Sequence, residues 1–208
     1  MLRIFILIFI SYLSIYSSCN KRINCNATVY SFEATIRAFP DSDSLNMGDT
    51  IWLELICPAR LRDAISGNMI DYSGAENFGT VIGCLEFTGG DILNPGVVGA
   101  ANDFDFKIIY GSLVSNPINP GTNKEFLFSE IQSTYKFKLG LIPKKTGIFA
   151  VSPGNAANVY RRNNSCDKAG FSITFTNTAQ HLYFYEQNRP GYTPSEYERT
   201  HMYCFKVK

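Results

Sequence analysis

Charge is scarce in this sequence, and so are the side chains on which most catalysis relies. Only 18% of the 208 residues are charged, nineteen basic against eighteen acidic, for a formal net charge of +1. No clustered excess of Lys and Arg marks a nucleic-acid footprint, so nucleic acid is not an expected partner. Two histidines and one tryptophan leave little for a rich metal site or a His-based catalytic centre. His181 and His201 sit in no Ser, Cys or metal motif and read as structural hydrogen-bonding groups. No C-x-x-C occurs, which removes the signature of zinc ribbons and thioredoxin-type chemistry. No internal repeat and no low-complexity linker divides the chain. No apolar run reaches the roughly 20 residues a spanning helix needs. The expectation is a protein without metal or cofactor, and not an enzyme.

What is present is the composition of a folded chain, 45% hydrophobic, with an export signal in front. Met1 to Arg3 is a short positive start, Ile4 to Ile10 is unbroken apolar, and Ser17 and Ser18 are the small residues of a cleavage boundary. Residues 1–18 therefore read as a secretory signal peptide. Ser17-Ser18-Cys19 resembles the lipobox of bacterial lipoproteins, with Tyr16 where that family usually carries Leu. The resemblance implies cleavage before Cys19, a diacylglycerol on its thiol, and an acyl chain such as palmitate on the new amino terminus. Several acyl chains anchor stably where one does not. Asn20-Lys21-Arg22 resembles neither the Asp signal for inner-membrane retention nor the acidic run for surface export. That implies an outer-membrane anchor facing the periplasm; a secreted or cell-surface protein is the alternative.

Removal of 18 residues from 208 leaves 190, enough to bury about 70% of the unfolded surface in one core. The expected organisation is a lipid-anchored tether over 19–27 and one domain over 28–208. Five cysteines remain beside a lipidated Cys19, and an exported protein sits where disulfides persist. Five thiols allow many pairings. Cys166 with Cys204 is the preferred pair, since they flank the last strands. Cys57 and Cys84 lie in apolar runs and read as buried thiols.

Strand signals dominate the domain. Tyr30, Phe32, Ala34, Ile36 and Ala38 share one face of a period-two pattern, with Ser31, Glu33, Thr35 and Arg37 on the other. Ile51, Leu53 and Leu55 alternate with Trp52, Glu54 and Ile56 until Pro58 stops the run. Similar patterns recur at 81–87, 103–110, 135–141, 147–152, 171–176, 181–185 and 202–207. About nine short strands with turn signals between them define an all-β, antiparallel, immunoglobulin-like β-sandwich. Helix signals are few. Thr193-Pro194-Ser195-Glu196 reads as a capping box opening one or two turns, and Ala59 to Ser66 as another short helix ended by Gly67. Residues 89–102 and 116–123 read as long loops.

Candidate chemistry is sparse. Asp41, Asp43, Asn46 and Asp49 form an acidic loop, but Leu45 stands where a calcium loop needs an oxygen ligand, so it reads as a solvated turn. Asp43-Ser44-Leu45 resembles the O-glycan acceptor of exported Bacteroidetes proteins. Asp103 and Asp105 read as a solvated strand face rather than a catalytic pair. The one excess is aromatic, sixteen Phe and twelve Tyr. Tyr183, Tyr185, Tyr192 and Tyr197 crowd near the C-terminus and are candidate contacts to a sugar or protein ligand.

Two stretches carry a wider resemblance, Leu45 to Leu53 with Asp71 to Phe78, and Gln180 to Tyr185 with Tyr203 to Val207. They are similar to exported lipoproteins of Bacteroidetes that have no assigned activity. The combined expectation is a non-catalytic envelope lipoprotein, a binding or structural module for an envelope protein or glycan. The alternative is a glycan-binding accessory protein of an outer-membrane polysaccharide-uptake system.

Overall fold

Period-two hydrophobicity becomes two packed sheets in a computed structural model of the chain. It describes residues 28–90, 96–114, 119–162, 164–177, 180–189, 191 and 193–208. The signal segment, Cys19, the tether and Tyr192 lie outside these residues. The strands are β1 (Val29–Phe39), β2 (Ser44–Leu45), β3 (Ile51–Pro58), β4 (Arg60–Arg62), β5 (Met69–Asp71) and β6 (Ala75–Glu76). They continue with β7 (Gly79–Phe87), β8 (Val97–Gly99), β9 (Phe104–Tyr110), β10 (Ser112–Leu113), β11 (Asn123–Leu127) and β12 (Ser129–Ile131). The last five are β13 (Thr134–Pro143), β14 (Gly147–Pro153), β15 (Ala156–Arg161), β16 (Asn164–Phe175) and β17 (Tyr203–Val207). Two short helices, α1 (Tyr183–Asn188) and α2 (Glu196–His201), precede β17.

The first sheet runs β12-β13-β3-β1-β16-β15-β6, with β9 also paired to β13. The second runs β10-β11-β7-β14-β17-β2, with β8 also paired to β7. The all-β sandwich is the expected class. Most pairings are antiparallel, but β1 runs parallel to β16, and β17 parallel to β2. Inward residues of both sheets share one core. Phe126 meets Phe137 with ring centroids 5.7 Å apart, and Phe175 meets Tyr203 at 5.8 Å, each pair bridging the sheets. Such aromatic contacts contribute about 0.5–1.5 kcal/mol each beyond their area.

Local structure departs from the sequence pattern in four places. Residues 59–66 form no helix: β4 and β5 are a hairpin, and the Asp63 carboxylate accepts the Ser66 N–H (2.8 Å) within its turn. Residues 181–185 form no strand. The chain turns at His181 (φ 51°) into α1, which lays Phe184 and Tyr185 over Phe87, Ala150, Met202 and Cys204 on the outer face of the second sheet. A short apolar run does not by itself distinguish strand from helix. The capping box lies two residues further on than expected. Ser195 Oγ accepts the Glu198 N–H, and the Glu198 carboxylate accepts the Ser195 N–H. The long loop expected at 89–102 includes β8 and a 3-10 turn over Ala101–Asp103.

The Cys166–Cys204 pair does not form. Cys166 is disulfide-bonded, whereas Cys57, Cys84 and Cys204 are free buried thiols. The reason is topological. Cys166 belongs to β16 of the first sheet. Cys204 lies in β17 of the second, turned away from the central core and toward α1. Cys84 is barred as its partner too: Cys84 opposes Val151 toward the central core, while Cys204 opposes Ala150 beneath α1.

Candidate binding face

Alternation along β3 sends Ile51, Leu53, Leu55 and Cys57 inward and leaves Trp52, Glu54 and Ile56 on the outer face. The only tryptophan of the chain is therefore displayed on the solvent side of the first sheet. Register then decides its neighbours. One row across the sheet reads Phe39, Trp52, Gly140, Lys107. The next reads Arg37, Glu54, Lys138, Tyr110, and a third Ile56, Lys136, Ser129.

Gly140 shapes the centre of this face. A Cβ there would lie 3.0 Å from Trp52 Cζ3 and 2.8 Å from Thr50 Cγ2. The indole six-membered ring thus rests against the backbone of Gly140, which it and Thr50 cover. The Lys107 and Lys138 ammonium groups lie 5.8 and 5.7 Å from the Trp52 centroid, inside cation–π range. Lys138 also pairs with Glu54 at 3.1 Å and lies 5.1 Å from the Phe39 ring. Lys136 stands 5.7 Å from the Tyr110 ring. Beside them, Ile56 is 66% exposed. The arrangement is a half-buried aromatic ring with two cations over it.

The sequence placed its candidate aromatics elsewhere, and the structure does not unite them. Tyr185 is 2% exposed and packs edge-on against Phe87, which removes it as a ligand contact. Tyr183 donates to Asp43 Oδ2 (2.7 Å). That bond holds the Asp43 carboxyl below its ordinary range and pushes the Tyr183 phenol up to about 12. Tyr197 is exposed and stacks on His201, centroids 3.9 Å apart. Tyr183 and Tyr197 lie on α1 and α2, not on a strand with a common groove.

The remaining candidates are engaged structurally. Tyr203 donates to Asp41 Oδ1 (3.1 Å), and the Asn46 N–H donates to Asp49 Oδ2 (2.8 Å). Asp103 pairs with Lys145 (3.1 Å) and Asp105 with Lys144 (3.4 Å). The His181 Nδ1 lies 3.1 Å from the Cys204 carbonyl, and the buried His201 Nδ1 lies 3.1 Å from the Tyr197 carbonyl. No cluster of three or more His, Cys, Asp or Glu able to hold a metal occurs among the described residues. No helix among them is long and apolar enough to cross a membrane.

A shallow groove of about 480 Å³ lies beside the β4–β5 hairpin, lined by Glu33, Leu61, Arg62, Asp63, Ala64 and Gly67. Its buried carboxylate is committed to the fold. Asp63 Oδ1 accepts the Ser31 N–H (2.9 Å) of β1, and Oδ2 accepts the Ser66 N–H. These bonds hold the Asp63 carboxyl down at about 2. It serves as a fastener for the hairpin, ionised at any physiological pH.

No family model matches the chain, and no curated protein is similar enough to count as a relative. Among solved structures, the reeler domain of human F-spondin is similar at 14% identity and a TM-score of 0.33, over 74% of this chain and 93% of that one. A type II cohesin domain from the cellulosome of Acetivibrio cellulolyticus is similar at 11% identity and a TM-score of 0.26, over 68% and 91%. Both scores are too low to carry topology or function across.

Proposed function

We propose that this chain is a non-catalytic, lipid-anchored module of a bacterial outer membrane that binds its partner through the outer face of the first sheet. One observation carries the reading: the only tryptophan lies on the solvent side of β3, bedded on Gly140 and edged by Lys107 and Lys138. Nothing in core packing requires the largest side chain to stand there. Tryptophan and arginine dominate binding hot spots, and exposed rings gain most when a partner excludes water from them.

The chain's exit supports this orientation. The Thr28 carbonyl accepts the Lys168 N–H (3.0 Å) at the start of β1, so the tether joins the sheet at the Val29 end. Phe39 closes the other end, about 33 Å away at strand rise. A domain anchored through Cys19 thus carries the Trp52 row on the part of the sheet distant from its attachment.

The test is co-purification from native membranes after mild cross-linking. The wild type should retain a partner that the Trp52→Ala and Ile56→Asp variants lose, while Cys19→Ala releases the protein from the membrane fraction. A partner retained undiminished by both face variants would contradict the reading.

A further inference from the structure

The chemistry of the Trp52 face also indicates what class of ligand it takes. In the Trp52 row and the two beyond it toward Ile56, Arg37, Lys107, Lys136 and Lys138 outnumber one acid, Glu54, and Asp105 in the row on the other side is paired with Lys144. The face is cationic on a chain that is nearly neutral overall, so its complement is anionic.

We propose that this face binds an anionic glycan, a polysaccharide carrying carboxylates. The C–H face of one sugar ring stacks on the Trp52 plate, and its carboxylate is drawn to Lys107 and Lys138, whose ammonium groups already lie within 6 Å of that ring. Phe39 in the same row and Tyr110, three strands from Arg37 in the next, extend the contact across the sheet. Four adjacent strands span about 14 Å, a surface matched to a short run of sugars. This inference rests on the outer face being the contact surface.

Two other occupants fit less well. Protein interfaces concentrate apolar residues at their centre and deplete lysine there, whereas here lysines border the central ring itself. A lipid surface would be met near the anchor, but the Trp52 row lies at the far end of β1 from the tether.

A single tryptophan makes its fluorescence a selective reporter of this face. The experiment titrates the folded mature chain with polygalacturonate, with dextran as a neutral polysaccharide, with poly-glutamate, and with phosphatidylglycerol vesicles. Polygalacturonate should shift the emission saturably and lose the effect in high salt, while dextran has none. Lys107→Gln with Lys138→Gln keeps the reporter and should weaken binding about tenfold with an unchanged circular dichroism spectrum. No shift with polygalacturonate would overturn the proposal. So would an equal response to poly-glutamate or to vesicles, since either shows charge or lipid rather than sugar being read. Cross-linking from the face in native membranes is scored separately, so a wrong ligand class is distinguishable from a wrong surface.

Discussion

Asp63 shows how one side chain fixes both a local shape and a pH response. Its carboxylate joins the β4–β5 turn to β1 through the Ser31 and Ser66 N–H groups, and the Ala64 N–H donates to the Ser31 carbonyl (2.7 Å). Its pKa falls from an ordinary 3.8 to about 2 in the folded chain. The folded state thus binds fewer protons than the unfolded one, so this contribution is complete above pH 4 and is lost as pH falls toward 2. Denaturant titrations at stepped pH should show Asp63→Asn to be less stable than wild type at neutral pH and flatter between pH 4 and 2. Parallel curves for the two proteins would show that Asp63 does not titrate in this way. The cysteines make a second residue-scale case. Burial pushes the Cys57 thiol up to about 11, and it raises the thiols of Cys84 and Cys204 as well. Native alkylation should leave all three unmodified, and non-reducing peptide mapping of the unfolded chain should find them free with Cys166 bridged. A peptide linking Cys166 to Cys204 would contradict the topology.

At the scale of elements, short pieces depend on local devices. α2 has six residues and too little length to stand on propensity; its reciprocal Ser195–Glu198 cap supplies the difference. Ser195→Ala should cost about 1 kcal/mol in chemical denaturation. In the first sheet the corresponding device is Gly140. Gly140→Ala should cost about 1–3 kcal/mol as the new methyl drives Trp52 and Thr50 apart, with a shifted emission maximum as the accompanying sign. An unchanged spectrum would mean that the indole does not rest on Gly140. Strand alternation at this scale was legible: it placed Trp52, Glu54 and Ile56 opposite Ile51, Leu53 and Leu55, as the structure does. What alternation could not supply was register. The approach of Lys107 and Lys138 to Trp52 depends on β9 and β13 pairing at Gly140. The cap was misplaced because Thr193 and Ser195 offer overlapping start signals, and only the hydrogen bonds choose between them.

For the whole molecule, composition and period two gave the sandwich, because a half-buried sheet imposes alternation that survives without knowing its partners. Sheet membership is a different matter. Cys166 and Cys204 are both near the C-terminus, yet β16 follows β1 into the first sheet and β17 joins β14 in the second. The C-terminal tyrosines misled for the same reason. Their density suggested a surface, but α1 buries Tyr185 over β14 and β17, while the exposed Tyr183 and Tyr197 lie on separate helices. In the proposed function, the outer face of the first sheet meets the partner. The direct measurement is site-resolved photo-cross-linking in native membranes. One cross-linker stands at Ile56 on this face; others stand at Val98 and Leu113, exposed on strands of the second sheet. The account predicts adducts from position 56 and none from 98 or 113. Adducts from the second sheet with none from position 56 would contradict it.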